Sequence, residues 1–198
     1  MSNLMQDDTS ILIKRDIGSE ELANLIEEGK HGNDAALGRL CAYIYSHVYA
    51  FLFYRVSHQE DAEDLTSEVV LKIIKALKKQ RGNFHAWMYR IAKNRLVDYY
   101  RQRAVRQEVS LTDMPQKEVV GTGDLSKQIL TKEKLRKGLE KLTEEQKQVI
   151  VLKFIQGYNN QEVADIVGKS VGAVKVLQFR ALRAMREYFS RRGHEPEN

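Results

Sequence analysis

VADIVGKSVGAVKVLQFRALRAMRE, residues 163–187, decides what kind of chain this is. Residues 161–167 have the spacing of a short helix, which Asn159 or Asn160 can cap. Gly168 supplies a residue able to take the left-handed turn conformation, and Ser170 can cap the long helix that follows. Helix, tight break, capped helix is the punctuation of a helix-turn-helix. In the long helix Val174, Leu177, Ala181 and Met185 fall on one stripe, expected to pack on a core, while Gly172, Val176, Phe179, Arg180 and Arg183 lie opposite. From Lys169 to Arg192 the cations are Lys169, Lys175, Arg180, Arg183, Arg186, Arg191 and Arg192, against Glu187 alone. A solvated basic helix of an ordinary bundle would carry charge without the turn and the caps. Together these features predict DNA binding, with the first turns of the helix nearest the base edges. Lys169, Ser170, Ala173, Lys175, Val176, Phe179 and Arg180 are the candidate readers. Val176 and Phe179 donate no hydrogen bond but suit a thymine methyl. Arg183 and Arg186 suit phosphates.

Moving outward, Thr143-Glu-Glu-Gln146 is a capping box that opens a helix over EEQKQVIVLKFIQG, and helical spacing resumes before it from about residue 126. The stretch VRQEVSLTDMPQKEVVGTGDL loses periodicity and collects Pro115, Gly121 and Gly123, so it reads as a flexible linker. Its Gly-x-Gly lacks the remaining glycine and the Lys-Ser/Thr of a phosphate loop. Upstream of it, residues 19–104 read as one helical domain: two helices broken by GKHGND, a third over HQEDAEDLTSEVVLKIIKALKKQ, and a fourth over NFHAWMYRIAKNRLVDYYRQR. The expectation is an all-α chain of two small helical domains. Residues 1–18 are an extension, 19–104 the first domain, 105–125 the linker, 126–190 the domain with the helix-turn-helix, and 191–198 a tail.

The totals bound the partners. The net charge is +5 in 198 residues, which suits a polyanion without proving one. Cys41 is the single cysteine, so neither an intrachain disulfide nor a cysteine-cluster metal site is expected, and a reducing compartment fits. The N-terminal residues do not read as a signal peptide, and no apolar run approaches the roughly 20 residues that span a bilayer. A soluble cytoplasmic protein with no membrane insertion, no metal and no cofactor is expected.

A second basic helix lies upstream. Between Arg81 and Arg106 seven cations oppose Asp98 alone. Phe84, Met88, Ile91, Ala92, Leu96 and Tyr99 form its inward stripe, and Trp87, Arg90, Asn94, Val97 and Arg101 line another face. Cations interleaved with an aromatic ring and an amide suit a nucleic-acid backbone and an exposed base. Arg95 falls inside the apolar stripe, so either the helix bends there or the face is displaced. Just before this helix, Glu60, Asp61, Glu63, Asp64 and Glu68 oppose Lys72, beside an apolar seam of Leu65, Val69, Ile73 and Leu77. The histidines, His31, His47, His58, His85 and His194, are scattered, which argues against a metal nuclease. An acidic and apolar protein-binding face is the better reading.

The order of these parts resembles the extracytoplasmic-function (ECF) sigma factors of bacterial RNA polymerase. DAEDL followed by an apolar helix, then F-x-A-W-x-Y-R-I-A-x-N, then S-V-G-A-V-K with R-A-L-R, carries the resemblance over nearly the whole chain. It implies that Asp61, Asp64, Leu65, Glu68 and Leu71 lie in the segment that docks on the clamp coiled coil of core RNA polymerase. It also implies that Trp87, Arg90, Asn94 and Arg101 engage the minus-ten element and its melted strand, and that the helix-turn-helix reads the minus-thirty-five element of promoter DNA. An anti-sigma factor is an implied partner, and no catalysis by the chain itself is implied. VKVLQFRA stands where VKSRLHRA is more usual, placing Phe179 where histidine is frequent. The rival readings are a stand-alone helix-turn-helix regulator and a nucleic-acid-processing enzyme, the latter without a nucleophile or metal constellation to support it.

Overall fold

The computed structural model describes residues 17–56, 58–109 and 134–192, which are helical apart from short turns. Asn33 opens α2 (Asp34–Phe53) by accepting from the Ala36 amide, which satisfies one of the donors a helix start leaves over. The preceding α1 (Ser19–Lys30) ends at His31, and Gly32 turns the chain with φ of 87°. Next come α3 (Gln59–Ala76), which tightens into a 3-10 turn at Leu77–Lys79, and α4 (Phe84–Val109). That last helix continues into the stretch read from sequence as the start of a linker; residues 110–125 of that stretch lie outside the described residues.

Beyond it, α5 (residues 134–140) and α6 (Glu144–Ile150) begin the C-terminal half. The Thr143–Gln146 capping box read from sequence is formed in both directions. From Val151 to Ile155 the helix widens to a π turn, closed by the Gln156 amide donating to the Val151 carbonyl at 3.0 Å. Then follow α7 (Asn160–Val167) and α8 (Val171–Arg192).

In the N-terminal half, α2, α3 and α4 bury Leu40, Ile44, Val48, Leu65, Val69, Ile73, Met88 and Leu96. The apolar positions recur at three and four residues, so each helix turns one stripe inward. The structure adds something the spacing does not carry. The same core continues into the C-terminal half through Val149, Leu152, Tyr158, Val163, Ala164 and Val174. Conversely, Tyr54 at the end of α2 sits in the C-terminal cluster with Leu139, Leu142, Ile150, Val151, Ile155 and Ala181. Two helical units are present, and their apolar faces meet directly.

Candidate functional site

The helix-turn-helix forms from the residues that announced it. Asn159 caps α7 in a reciprocal capping box with Glu162. Gly168 takes the left-handed conformation, φ 68° and ψ 39°, a region costly for any residue bearing a Cβ. The Ser170 hydroxyl then accepts from the Ala173 amide at 3.2 Å and starts α8. Val174 and Ala181 are buried, and Leu177 and Met185 are half-buried. On the outer side Lys175, Val176, Phe179, Arg180, Arg183 and Arg186 are exposed, Phe179 at 69%. An aromatic ring so exposed between cations is available to a base step and contributes little to the core. Lys169 ion-pairs with Glu145 at 2.8 Å, which holds the Glu145 carboxyl below its ordinary range. Ala173 is half-buried beside the turn, and Arg183 pairs with Glu187 at 2.9 Å.

The face expected on the upstream basic helix is present on α4. Arg90, Asn94, Val97 and Arg101 are exposed, and Trp87 is half-buried against Phe84, with ring centroids 5.9 Å apart. Trp87 therefore offers one part of its ring while the other part is held. The helix needs no bend to accommodate Arg95, whose side chain crosses to α3 and grips Glu68 with two nitrogens.

On α3 the five expected docking residues separate by environment. Asp64 and Leu71 face solvent, Leu71 at 59% exposure, and make an acidic and apolar pair on one face. Asp61 is half-buried and accepts from the Tyr99 hydroxyl at 2.7 Å, while Glu68 is engaged by Arg95. The Arg95 guanidinium lowers the Glu68 carboxyl pKa, and Glu68 in turn raises that of Arg95. Leu65 is 2% exposed, buried in the core on the inner side of α3. Its buried position follows from the seam Leu65, Val69, Ile73, Leu77, which the periodicity already contains.

Sequence reasoning missed Gln156 and Arg55. Gln156 is fully buried, accepting from the Tyr89 hydroxyl of α4 and donating to the His47 carbonyl of α2 at 3.1 Å. Arg55 is buried under Phe51, its guanidinium 3.8 Å from the ring centroid, and lies 3.8 Å from Glu144 of α6. Burial brings the Arg55 pKa down to about 10, with Glu144 pulling the other way. The partners of Gln156, Tyr89 and His47, lie far along the chain, as does the Glu144 partner of Arg55, so no local signal marks the cross-chain contacts of either residue. Among the described residues no group of three or more His, Cys, Asp or Glu side chains is placed to hold a metal ion, and no helix is long and apolar enough to cross a membrane.

Comparison with known proteins finds two family models, sigma-70 region 2 over residues 40–106 and sigma-70 region 4 over residues 138–187. The chain is 32% identical to the ECF RNA polymerase sigma factor BldN of Streptomyces coelicolor over 175 residues, which cover 86% of this chain and 66% of that protein. It is 30% identical to the ECF RNA polymerase sigma-E factor of Escherichia coli (strain K12), covering 84% of this chain and 94% of that protein. Among solved structures, the sigma factor RpoE in complex with the anti-sigma factor NepR from Bartonella quintana has a similar fold, with a TM-score of 0.61 at 21% identity. That match covers 77% of this chain and 96% of the other.

Proposed function

Because this chain belongs to the ECF RNA polymerase sigma factors, we propose that it works as a dissociable initiation factor through three separate faces. Asp64 and Leu71 on α3 dock on the clamp coiled coil of core RNA polymerase, with Asp61 and Glu68 held ready beside them by Tyr99 and Arg95. The exposed face of α4, Trp87 with Arg90, Asn94 and Arg101, engages the minus-ten element and holds the melted strand by stacking and backbone charge. The outer face of α8 reads the minus-thirty-five element in the major groove. There Lys175, Val176, Phe179 and Arg180 lie toward base edges and Arg183 and Arg186 toward phosphates.

The observation that carries this reading is the simultaneous exposure of residues on all three faces, Asp64 and Leu71, Arg90 and Arg101, and Phe179 and Arg180. The chain contributes recognition and strand-opening contacts, and the polymerase performs the chemistry, so the chain acts in the cytoplasm without catalysis of its own. An anti-sigma factor is its proposed regulator, as one accompanies RpoE in the similar solved structure. Run-off transcription with purified bacterial core RNA polymerase on a pool of promoters tests the reading. Specific starts are expected only when the chain is present, and their absence together with tight binding to a duplex site by the chain alone would overturn it.

A further inference from the structure

Two bridges tie α4 to the acidic side of α3. Arg95 sends Nε and Nη2 to the two oxygens of Glu68, the longer bond being 3.2 Å. One turn further along α4, the Tyr99 hydroxyl donates to Asp61 at 2.7 Å, and Arg103 donates to that hydroxyl at 3.1 Å. Each bridge commits a cation of the helix proposed to hold promoter DNA to a carboxylate proposed to face polymerase.

The Arg95 grip is incomplete. Its Nη1 is buried and has no hydrogen-bond partner among the described residues. The Arg95 side chain is 20% exposed and that of Glu68 54%, so a docking partner reaches the carboxylate more readily than the guanidinium. Along α3, Glu60, Asp61, Glu63, Asp64 and Glu68 oppose Lys72, so whatever docks there presents cations. A docked cation competes with Arg95 for the same two oxygens.

We propose that Arg95 passes from Glu68 to a phosphate of the promoter strand when polymerase docks on α3, so that docking adds one positive charge to the DNA face of α4. This rests on the sigma-factor reading and gives a role to a residue that the reading leaves unassigned. Arg95 follows Asn94 and lies about 100° round the helix from it. Its long side chain crosses that arc by changing rotamer, with no movement of the backbone. A guanidinium suits both holders, because its planar fork meets two oxygens of a carboxylate or of a phosphate alike. In the free chain a strand must displace Glu68 to gain the contact; in the complex a polymerase cation has already done so. Docking and strand binding then assist each other, and linkage makes the assistance mutual.

The test uses the full chain, free and assembled with purified core RNA polymerase, and reads DNA affinity across a salt series. The free chain is titrated with a mixed-sequence single-stranded oligonucleotide, since phosphate contacts carry no sequence. The holoenzyme is titrated with a promoter from the run-off pool. In the holoenzyme, Arg95→Gln is expected to flatten the plot of log affinity against log salt by about 0.7–0.9, one phosphate contact, and Arg95→Lys to retain the wild-type slope. The same Arg95→Gln chain is expected to bind core polymerase about twofold tighter, because Glu68 is no longer masked. In the free chain, Arg95→Gln is expected to leave the slope unchanged, while Glu68→Gln steepens it by about 0.7, and only when Arg95 is present. Thermal unfolding establishes that each variant is folded.

A wild-type slope in the Arg95→Gln holoenzyme would overturn the exchange, as would weaker polymerase binding by that variant, which would make Arg95 a structural brace. An unchanged slope in free Glu68→Gln would show that Glu68 does not withhold Arg95 from DNA, and would overturn it equally. Failure of the wild-type chain to bind polymerase is a separate result: it would sink the sigma-factor reading and the exchange with it, whatever the slopes.

Discussion

Arg95 of α4 closes a two-nitrogen grip on Glu68 of α3, joining the helix proposed to hold promoter DNA to the helix proposed to dock on polymerase. The pair lowers the Glu68 carboxyl pKa, so the unfolded chain binds the Glu68 proton more tightly than the folded one. Its stabilisation is therefore complete above the ordinary glutamate value of about 4.3 and is lost as pH falls through the lower folded value. Glu68 is largely exposed, so solvent screening keeps the effect near 0.5 kcal/mol. Denaturant titration of wild type and Glu68→Gln should show wild type more stable at neutral pH, with the gap closing toward pH 3. A gap that stayed constant would mean that the ion pair is not its origin.

Leu65 and Leu71, six residues apart on α3, should behave oppositely. Leu65→Ala empties a packed position and should cost about 2–4 kcal/mol of stability. Leu71→Ala should leave the unfolding free energy within about 0.5 kcal/mol while weakening binding to core polymerase, and Asp64→Arg should do the same. Denaturation curves alongside a polymerase-binding assay separate the two classes, and normal assembly by Asp64→Arg would remove α3 from the docking face.

Gly168→Ala should cost about 1 kcal/mol, since alanine must adopt φ near 68° while open space around the position removes any steric cause. Misaligning α8 against α7 should also weaken upstream promoter recognition. Thermal unfolding and promoter binding by the holoenzyme check the two parts.

Phe179→Ala should leave stability within about 0.5 kcal/mol, because the ring is mostly in solvent. Its effect belongs to promoter choice: run-off on a randomised minus-thirty-five library should yield a changed preference at one or two positions. An unchanged preference would take Phe179 out of the reading face.

The helices and the helix-turn-helix were legible because their signals are local. Thr143 with Gln146, Asn159 with Glu162, Gly168, and Ser170 with Ala173 each work within a few residues. Leu65 was legible as an apolar seam residue, and its burial follows from that periodicity. Arg95 was visible as an anomaly but not as a solution, because its partner is 27 residues away. The meeting of the halves was illegible altogether. Tyr89 and Gln156 are 67 residues apart, and a buried glutamine leaves no periodic trace when its partners are a hydroxyl and a backbone carbonyl.

That contact joins two parts of one chain, and so its occupancy is independent of copy number. An inhibitor supplied as a separate protein must be made in step with its target and can be outnumbered. The pairing of Gln156 with Tyr89 is replicated with every molecule synthesised, whatever the number of copies.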